Sequence, residues 1–180
     1  MAQPAVTADH QQLATLLAVG EILGSAANFE QALHEILQTL CDMLQMRLGT
    51  LSLLEGKQEV AIDIAYGLSQ DEIDRGRYKI GEGITGRVVA SGKPVIVPRI
   101  SSEPLFLDRT GARTKDEKSQ SSFICVPISL QREVVGTLSA DCPYIDDSRL
   151  QTNVRLLTIV AAMIAQNVAT RRRAREEWAN

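Results

Sequence analysis

Apolar residues first recur along this chain at helical spacing, at Leu13, Leu16, Leu17 and Leu23. After a break over residues 24–28 a second helical stripe follows through Phe29, Leu33, Ile36, Leu37, Leu40 and Leu44. Two helices are therefore predicted at the start. Asn28, with Gln31 three residues on, has the form of a capping box and sets the second helix start near Asn28.

From Gly49 the period changes to two. Leu51 and Leu53 alternate with Thr50 and Ser52, then Val60, Ile62 and Ile64 alternate with Ala61 and Asp63, and residues 55–58 make a short turn between them. This pattern predicts an antiparallel hairpin. A short strand at Tyr78–Ile80, a short helix over Gly83–Ala90 ended by Gly92, and a strand at Pro94–Val97 are expected next. Residues 101–121 keep no period and form a long polar connection of the kind that is usually functional or mobile. Phe123–Leu130 and Glu133–Cys142, joined tightly at Gln131-Arg132, predict the strongest strand pair, which should be central in the sheet. Pro127 lacks a ladder donor, so a bulge or irregular pairing is expected there. A helix then runs from Asp147 towards the end of the chain.

This element order predicts an α+β domain: an antiparallel sheet with flanking helices on one face and a long C-terminal helix. The opposite face, under the short helix and the long loop, is the natural place for a small-molecule cavity.

With 180 residues and 44% hydrophobic content, one domain with a substantial core is expected. A formal charge of -3 argues against a nucleic-acid-binding face. The apolar runs are short and interrupted, and the first ten residues carry no secretory signal pattern, so a soluble, cytoplasmic protein without a membrane span is expected. Cys41, Cys125 and Cys142 are odd in number, widely spaced and without clustered His, which points to reduced, buried thiols rather than disulfides or a metal site.

Gly81-Glu82-Gly83-Ile84-Thr85-Gly86 matches G-x-G-x-x-G, yet the helix it opens is short and its flanks read as antiparallel strands. A turn using glycine's backbone freedom is the better reading than a dinucleotide site. His10 and His34 lie in the N-terminal helices, away from any nucleophile pattern, so no acyl-transfer site is expected. Arg109 and Arg113, with Phe106 nearby, could present guanidinium forks to a carboxylate or phosphate, the alternative being an ordinary solvated loop.

In the last helix Leu150, Val154, Leu157, Ala161, Ile164 and Val168 form one stripe, and Leu156, Val160 and Met163 form a neighbouring one. The expected division of labour places the second stripe on the domain's own sheet and the first in a dimer seam, with one broad buried face as the alternative. Arg171, Arg172, Arg173 and Arg175 read as a solvated helical linker. The expected organisation is an N-terminal helix at 1–28, a sensory domain at 29–169, and a linker at 170–180 leading towards an output domain outside this chain.

Ala65-Tyr66-Gly67-Leu68, the glycine motif at 81–86, Pro94-Val95-Ile96-Val97-Pro98, Phe123-Ile124-Cys125-Val126-Pro127-Ile128 and Val135-Gly136-Thr137-Leu138 resemble, in that order, the GAF domains, a PAS-related fold. Arg75-Gly76-Arg77-Tyr78, residues 100–107 and Arg109-Thr110-Gly111-Ala112-Arg113 resemble more narrowly the N-terminal domain of Nif-specific regulatory proteins. That resemblance implies a non-catalytic sensory domain controlling a nitrogen-fixation activator through a metabolite or a partner protein. Sigma-54 RNA polymerase and DNA would be met only through other segments. For the ligand it suggests 2-oxoglutarate, bound by Arg109 or Arg113 with Phe106, Phe123, Cys125 and Ser139 as cavity walls. For partners it suggests a homodimer and an anti-activator flavoprotein. A GAF-type methionine sulfoxide reductase and a ligand-free dimerisation module are the alternatives.

Overall fold

The computed structural model describes the backbone of residues 4–180 and the side chains from Asp9 onward; Met1–Gln3 of the expected N-terminal helix lie outside the described residues. Helix α1 spans Pro4–Ser25 and α2 spans Phe29–Leu44. The Asn28 side chain accepts from the Gln31 N–H at 2.8 Å, satisfying one of the amides that a helix start leaves open. Only half of the expected capping box forms, because the Gln31 amide donates forward to Glu35 instead.

Strands β1 (Leu48–Glu55) and β2 (Glu59–Tyr66) make the predicted hairpin. A short helix α3 (Gln70–Arg75) leads into β3 (Arg77–Lys79), α4 covers Gly83–Ser91, and β4 is Val95–Val97. Gly92 closes α4 at φ 66, a left-handed position that glycine occupies without Cβ strain. After a 3-10 turn at Ile100–Ser102 the polar loop runs to α5 (Lys115–Gln120), then β5 (Ser121–Leu130), β6 (Glu133–Pro143) and α6 (Asp147–Ala179).

The six strands form one antiparallel sheet in the order β3-β2-β1-β6-β5-β4. The α+β class and the antiparallel sheet agree with expectation. β6 is central, but β5 has only the short β4 outside it. Pro127 pairs in register with Thr137, and the irregularity falls one residue later, between Ile128 and Ser129. β4 reaches only Phe123–Cys125, so beyond Cys125 the outer edge of β5 is free and a missing donor there costs no ladder bond. The β5–β6 turn holds Gln131 and Arg132 at φ 53 and 68, the double left-handed geometry of a tight hairpin, here without glycine.

Helices α2 and α6 cover one sheet face, with α1 packed on both of them, and Leu33, Ile36, Leu37, Leu51, Ile64, Ile124, Ile128 and Leu138 are sealed from solvent there. α6 departs from the sequence reading in two ways. Leu150, Leu157, Ala161, Ile164 and Val168, assigned to a dimer seam, are buried inside this same core, with Val154 packed at its margin. Leu156 and Val160 are buried as well. One broad apolar face is therefore consumed by the chain's own sheet and helices, and that stripe offers no surface to a partner. By length and composition alone α6 could cross a membrane, contrary to the reading of interrupted runs, but half of its most apolar stretch is buried within the fold.

The second departure is the arginine run. Arg171 forks onto Asp63 and also reaches Glu30 at 2.8 Å. Arg175 pairs with Asp63 as well, and Arg172 donates to the Leu54 carbonyl at 3.1 Å. Arg171, Arg172 and Arg175 thus grip the β1–β2 hairpin, while Arg173 is exposed.

Candidate functional site

The face of the sheet away from the three long helices is unusually polar for a buried surface. Cross-strand register sets Ser139 between Thr50 and Cys125, and Ser52 beside Thr137. Ser52, Thr137, Ser139 and Asp141 are all buried. Period-two alternation normally turns such residues to solvent; here α4 and the loop of residues 103–114 cover them.

α4 is positioned by the glycine motif. Gly81 and Gly83 adopt φ 89 and 63, the Gly81 N–H donates to the Gly86 carbonyl at 2.8 Å, and a side chain at Gly86 would run into the Lys79 carbonyl. With only the antiparallel three-residue strand β3 before it, the motif makes a tight helix entry, as the turn reading held. Ile84, Val88, Val97, Ile100, Phe123 and Cys125 form a second apolar cluster beneath α4, with Phe106 packed against it.

The loop is held by arginines. Arg75 donates to the Thr110 carbonyl from Nε at 3.2 Å and Nη2 at 2.7 Å. Arg113 turns inward, its side chain only 7% exposed. Its Nε and Nη2 donate to the Asp141 carboxylate at 2.6 and 2.8 Å, and its Nη1 donates to Asp108 Oδ1 at 3.1 Å and Thr110 Oγ1 at 3.2 Å. Its guanidinium carbon lies 4.8 Å from the centre of the Phe106 ring and 5.9 Å from that of Phe123, and the two rings meet edge-on at 5.0 Å. Burial pulls the Arg113 pKa down, but Asp141 and Asp108 outweigh it and the net direction is up. The cation is thus fixed in a low-dielectric setting where its interactions are strong.

Arg113 borders a cavity of about 30 Å³ whose lining includes Thr50, Ser52, Ile62, Tyr78, Phe106, Asp108 and Phe123. Room of that size holds no more than about two or three water molecules, so a metabolite enters only if the loop moves.

Of the residues singled out from sequence, Arg113, Phe106 and Phe123 line this cavity. Cys125 and Ser139 lie outside its lining, buried and in mutual contact with Ser139 Oγ donating to Sγ at 3.5 Å. Arg109 points elsewhere, in an ion pair with Glu82 and donating to the Arg77 carbonyl at 2.6 Å, with Tyr78 beneath it. Glu82 is held below the usual carboxylate range by the Lys79 N–H and by Arg109. Sequence reasoning missed Asp141, Asp108 and Thr110. The polar series Thr137, Ser139, Asp141 in an otherwise apolar strand was the available signal for Asp141.

The thiols are poor nucleophiles. Burial pushes Cys125 up to about 11, and burial with neighbouring carboxylates pushes Cys142 and Cys41 up to about 12, whereas reactive cysteines are lowered by cationic surroundings. Cys125 packs in the cluster under α4 and Cys142 in the cluster under the long helices. They occupy opposite sheet faces and cannot act as an attacking and resolving pair without rearrangement.

A profile of the GAF domain family matches residues 28–168. The chain is 38% identical over 158 residues to the Nif-specific regulatory protein of Herbaspirillum seropedicae, covering 87% of this chain and 29% of that protein. It is also 38% identical over 170 residues to the Nif-specific regulatory protein of Azospirillum brasilense, covering 92% of this chain and 27% of that one. The chain thus spans less than a third of the length of these relatives. Among solved structures, the GAF domain of A. aeolicus nlh2 in an inactive state superposes with TM-score 0.81 at 23% identity, covering 91% of this chain and 99% of that one. The free methionine-R-sulfoxide reductase of Neisseria meningitidis, solved with its substrate, superposes with TM-score 0.73 at 18% identity, covering 97% and 96%. At these identities the structural likeness bears on the fold alone.

Proposed function

This chain belongs to the GAF domain family, and from that premise we propose that it is a non-catalytic sensory domain of a nitrogen-fixation transcriptional activator, controlled by a small anionic metabolite bound beside Arg113. Homology to Nif-specific regulators supports the regulatory context. The observation that carries the ligand class is the buried Arg113 guanidinium, walled by Phe106 and Phe123 and bordering a cavity over a hydroxyl-bearing sheet face. A guanidinium in such a setting suits a carboxylate, with charge-assisted hydrogen bonds stronger than neutral ones. 2-Oxoglutarate is the first ligand to test. Sigma-54 polymerase and DNA are reached through other segments of a cytoplasmic activator, and an anti-activator flavoprotein is a candidate partner.

Calorimetric titration with 2-oxoglutarate is expected to give saturable binding that falls at least about tenfold in Arg113→Lys, which keeps the charge but loses the fork. Equal affinity in wild type and variant rejects Arg113 as the ligand contact. The reductase alternative has the shared fold in its favour but faces elevated thiol pKa values on opposite sheet faces. Thiol-dependent turnover of free methionine sulfoxide would establish that alternative instead.

A homodimer remains part of the proposal, with its seam moved. Leu13 and Leu17 on α1 are 65% and 64% exposed, and Ile159 on α6 is 46% exposed; α1 packs along α6, with Gly20 beside Met163. Such a face of large apolar side chains is what an unpartnered helix pair presents. Leu13→Glu with Leu17→Glu is expected to leave a folded monomer in sedimentation runs at about 100 μM, a concentration at which a micromolar dimer is largely formed. A variant that stays dimeric would exclude this face.

A further inference from the structure

The two aspartates on Arg113 differ in what carries them. Asp141 is 1% exposed on the central strand β6 and takes the Nε and Nη2 edge of the guanidinium in a paired bond. Asp108 sits on the covering loop, accepts a single bond from Nη1 at 3.1 Å, and is itself part of the cavity lining. Its second oxygen is held from the surface by Lys118 Nζ at 2.6 Å. Arg113 has five N–H groups; the two on Nε and Nη2 that meet Asp141 leave the Nη1 and Nη2 end as the edge a second carboxylate can reach, and Asp108 stands there beside Thr110 Oγ1, which also accepts from Nη1 and belongs to the same loop.

We propose that Asp108 is an internal surrogate for a ligand's carboxylate: it occupies the open edge of Arg113, closes the cavity, and is displaced when an anion binds. The inference rests on the anion-binding reading of the same cavity and adds the residue that sets its affinity. Three observations converge on it. The cavity of about 30 Å³ has no room for a metabolite while the loop is down. The carboxylate that would have to leave is the one on the loop, because Asp141 is locked between β1 and β5 by the sheet register. Lys118, 33% exposed, gives the departing Asp108 a partner that does not depend on Arg113, so release leaves no stranded charge. Asp141 meanwhile stays as the positioning residue that aims the guanidinium.

The consequence is a threshold. An anion competes with a tethered carboxylate, and its apparent affinity is reduced by the fraction of molecules in which the loop has let go. The two aspartates must therefore act in opposite directions. Asp108→Asn, nearly isosteric and tolerant of the φ of 49 found there, is expected to bind succinate about tenfold tighter than wild type and to speed amide hydrogen exchange across residues 103–114 without added ligand. Asp141→Asn is expected to bind succinate more weakly. Lys118→Met, which removes the other contact of the same carboxylate, serves as a second, exposed variant and is expected to shift both readouts in the direction opposite to Asp108→Asn, because an Asp108 without Lys118 leans more fully on Arg113.

The measurements are calorimetry with succinate on the whole chain and hydrogen exchange on each variant. Wild type that binds, with Asp108→Asn binding no tighter, overturns the surrogate while leaving the anion site in place. Unchanged loop exchange in Asp108→Asn overturns the latch whatever carboxylate is used. No binding of succinate or of 2-oxoglutarate to wild type or to any variant overturns both the surrogate and the anion-binding reading beneath it.

Discussion

Asp141→Ala is expected to lower the unfolding free energy by about 3 to 5 kcal/mol, the usual effect of removing one partner from a buried ion pair. The side chains of Asp141 and Arg113 are 1% and 7% exposed, so water cannot replace the lost carboxylate. Arg113 would keep only the single bonds to Asp108 and Thr110. Nearby, Arg47 Nη2 lies 3.8 Å from Asp141 and is already without a hydrogen-bond partner among the described residues, so a second guanidinium loses part of its compensating charge and keeps only its ion pair with Glu117. Replacing both partners, Arg113→Met with Asp141→Leu, is expected to recover most of the loss, because apolar groups of similar volume carry no desolvation cost. The double variant should still fail to bind anions. That contrast separates holding the fold together from recognising a ligand. Urea unfolding followed by far-ultraviolet circular dichroism is the suitable measurement, since the single tryptophan, Trp178, is 91% exposed near the end of α6 and senses little of the core. A loss below about 1 kcal/mol for Asp141→Ala, the level of a surface pair, would mean that the pair is not the anchor of this face.

The fold was legible wherever one period dominated. The alternation in β1, β5 and β6 and the stripe of α2 each map onto observed elements within a residue or two; β2 lies where expected, but its register shift at Asp63 sends Ile62 to the cavity and Ile64 to the core on the other face. The site was legible only in part, for two physical reasons. Periodicity measures how wide an apolar face is and not what covers it, so the stripes of α6 could be divided between sheet and partner although the chain's own core takes both. The covered face was foreseen under the short helix and the long loop, but alternation alone does not mark its polar floor: Ser52, Thr137 and Ser139 have the pattern of a solvated face and are buried because α4 and a distant loop fold over them. Ion pairing is also non-local. Arg113 finds Asp141 28 residues away and Arg171 finds Asp63 108 residues away, distances at which no spacing rule operates. Some local signals were present and unread: Thr114 and Glu117 form a reciprocal capping box that starts α5 inside the supposedly featureless loop, and Ser69 and Glu72 do the same for α3.

The remaining large effect concerns how the cavity side of the sheet is joined to α6. β2 carries an extra residue at Asp63, between the Ile62–Ser52 and Ile64–Leu51 pairs, as in a β-bulge: Ile62 lines the cavity, while Asp63, 4% exposed, accepts from Arg171 and Arg175 of α6. The neighbouring strand repeats the arrangement, with Tyr78 on the cavity and Arg77 paired to Glu55 and Glu59, and Glu55 in turn lies 3.8 Å from Arg175. Charged contacts therefore tie the strands that carry these cavity walls to the last three turns of α6. Asp63→Asn should release that segment. The loss of charge-assisted bonds to two arginines is worth about 1.5 to 3 kcal/mol, and if it acts on local opening alone, amides of residues 170–179 should exchange roughly ten- to a hundredfold faster. Amides of β1, β6 and residues 150–165 should change far less, because their protection comes from the apolar core. Hydrogen exchange resolved by residue distinguishes the outcomes: equal exchange at 170–179 in wild type and Asp63→Asn would show that Arg171 and Arg175 do not hold the helix end, and uniform acceleration along all of α6 would place Asp63 in global stability rather than in a local clamp.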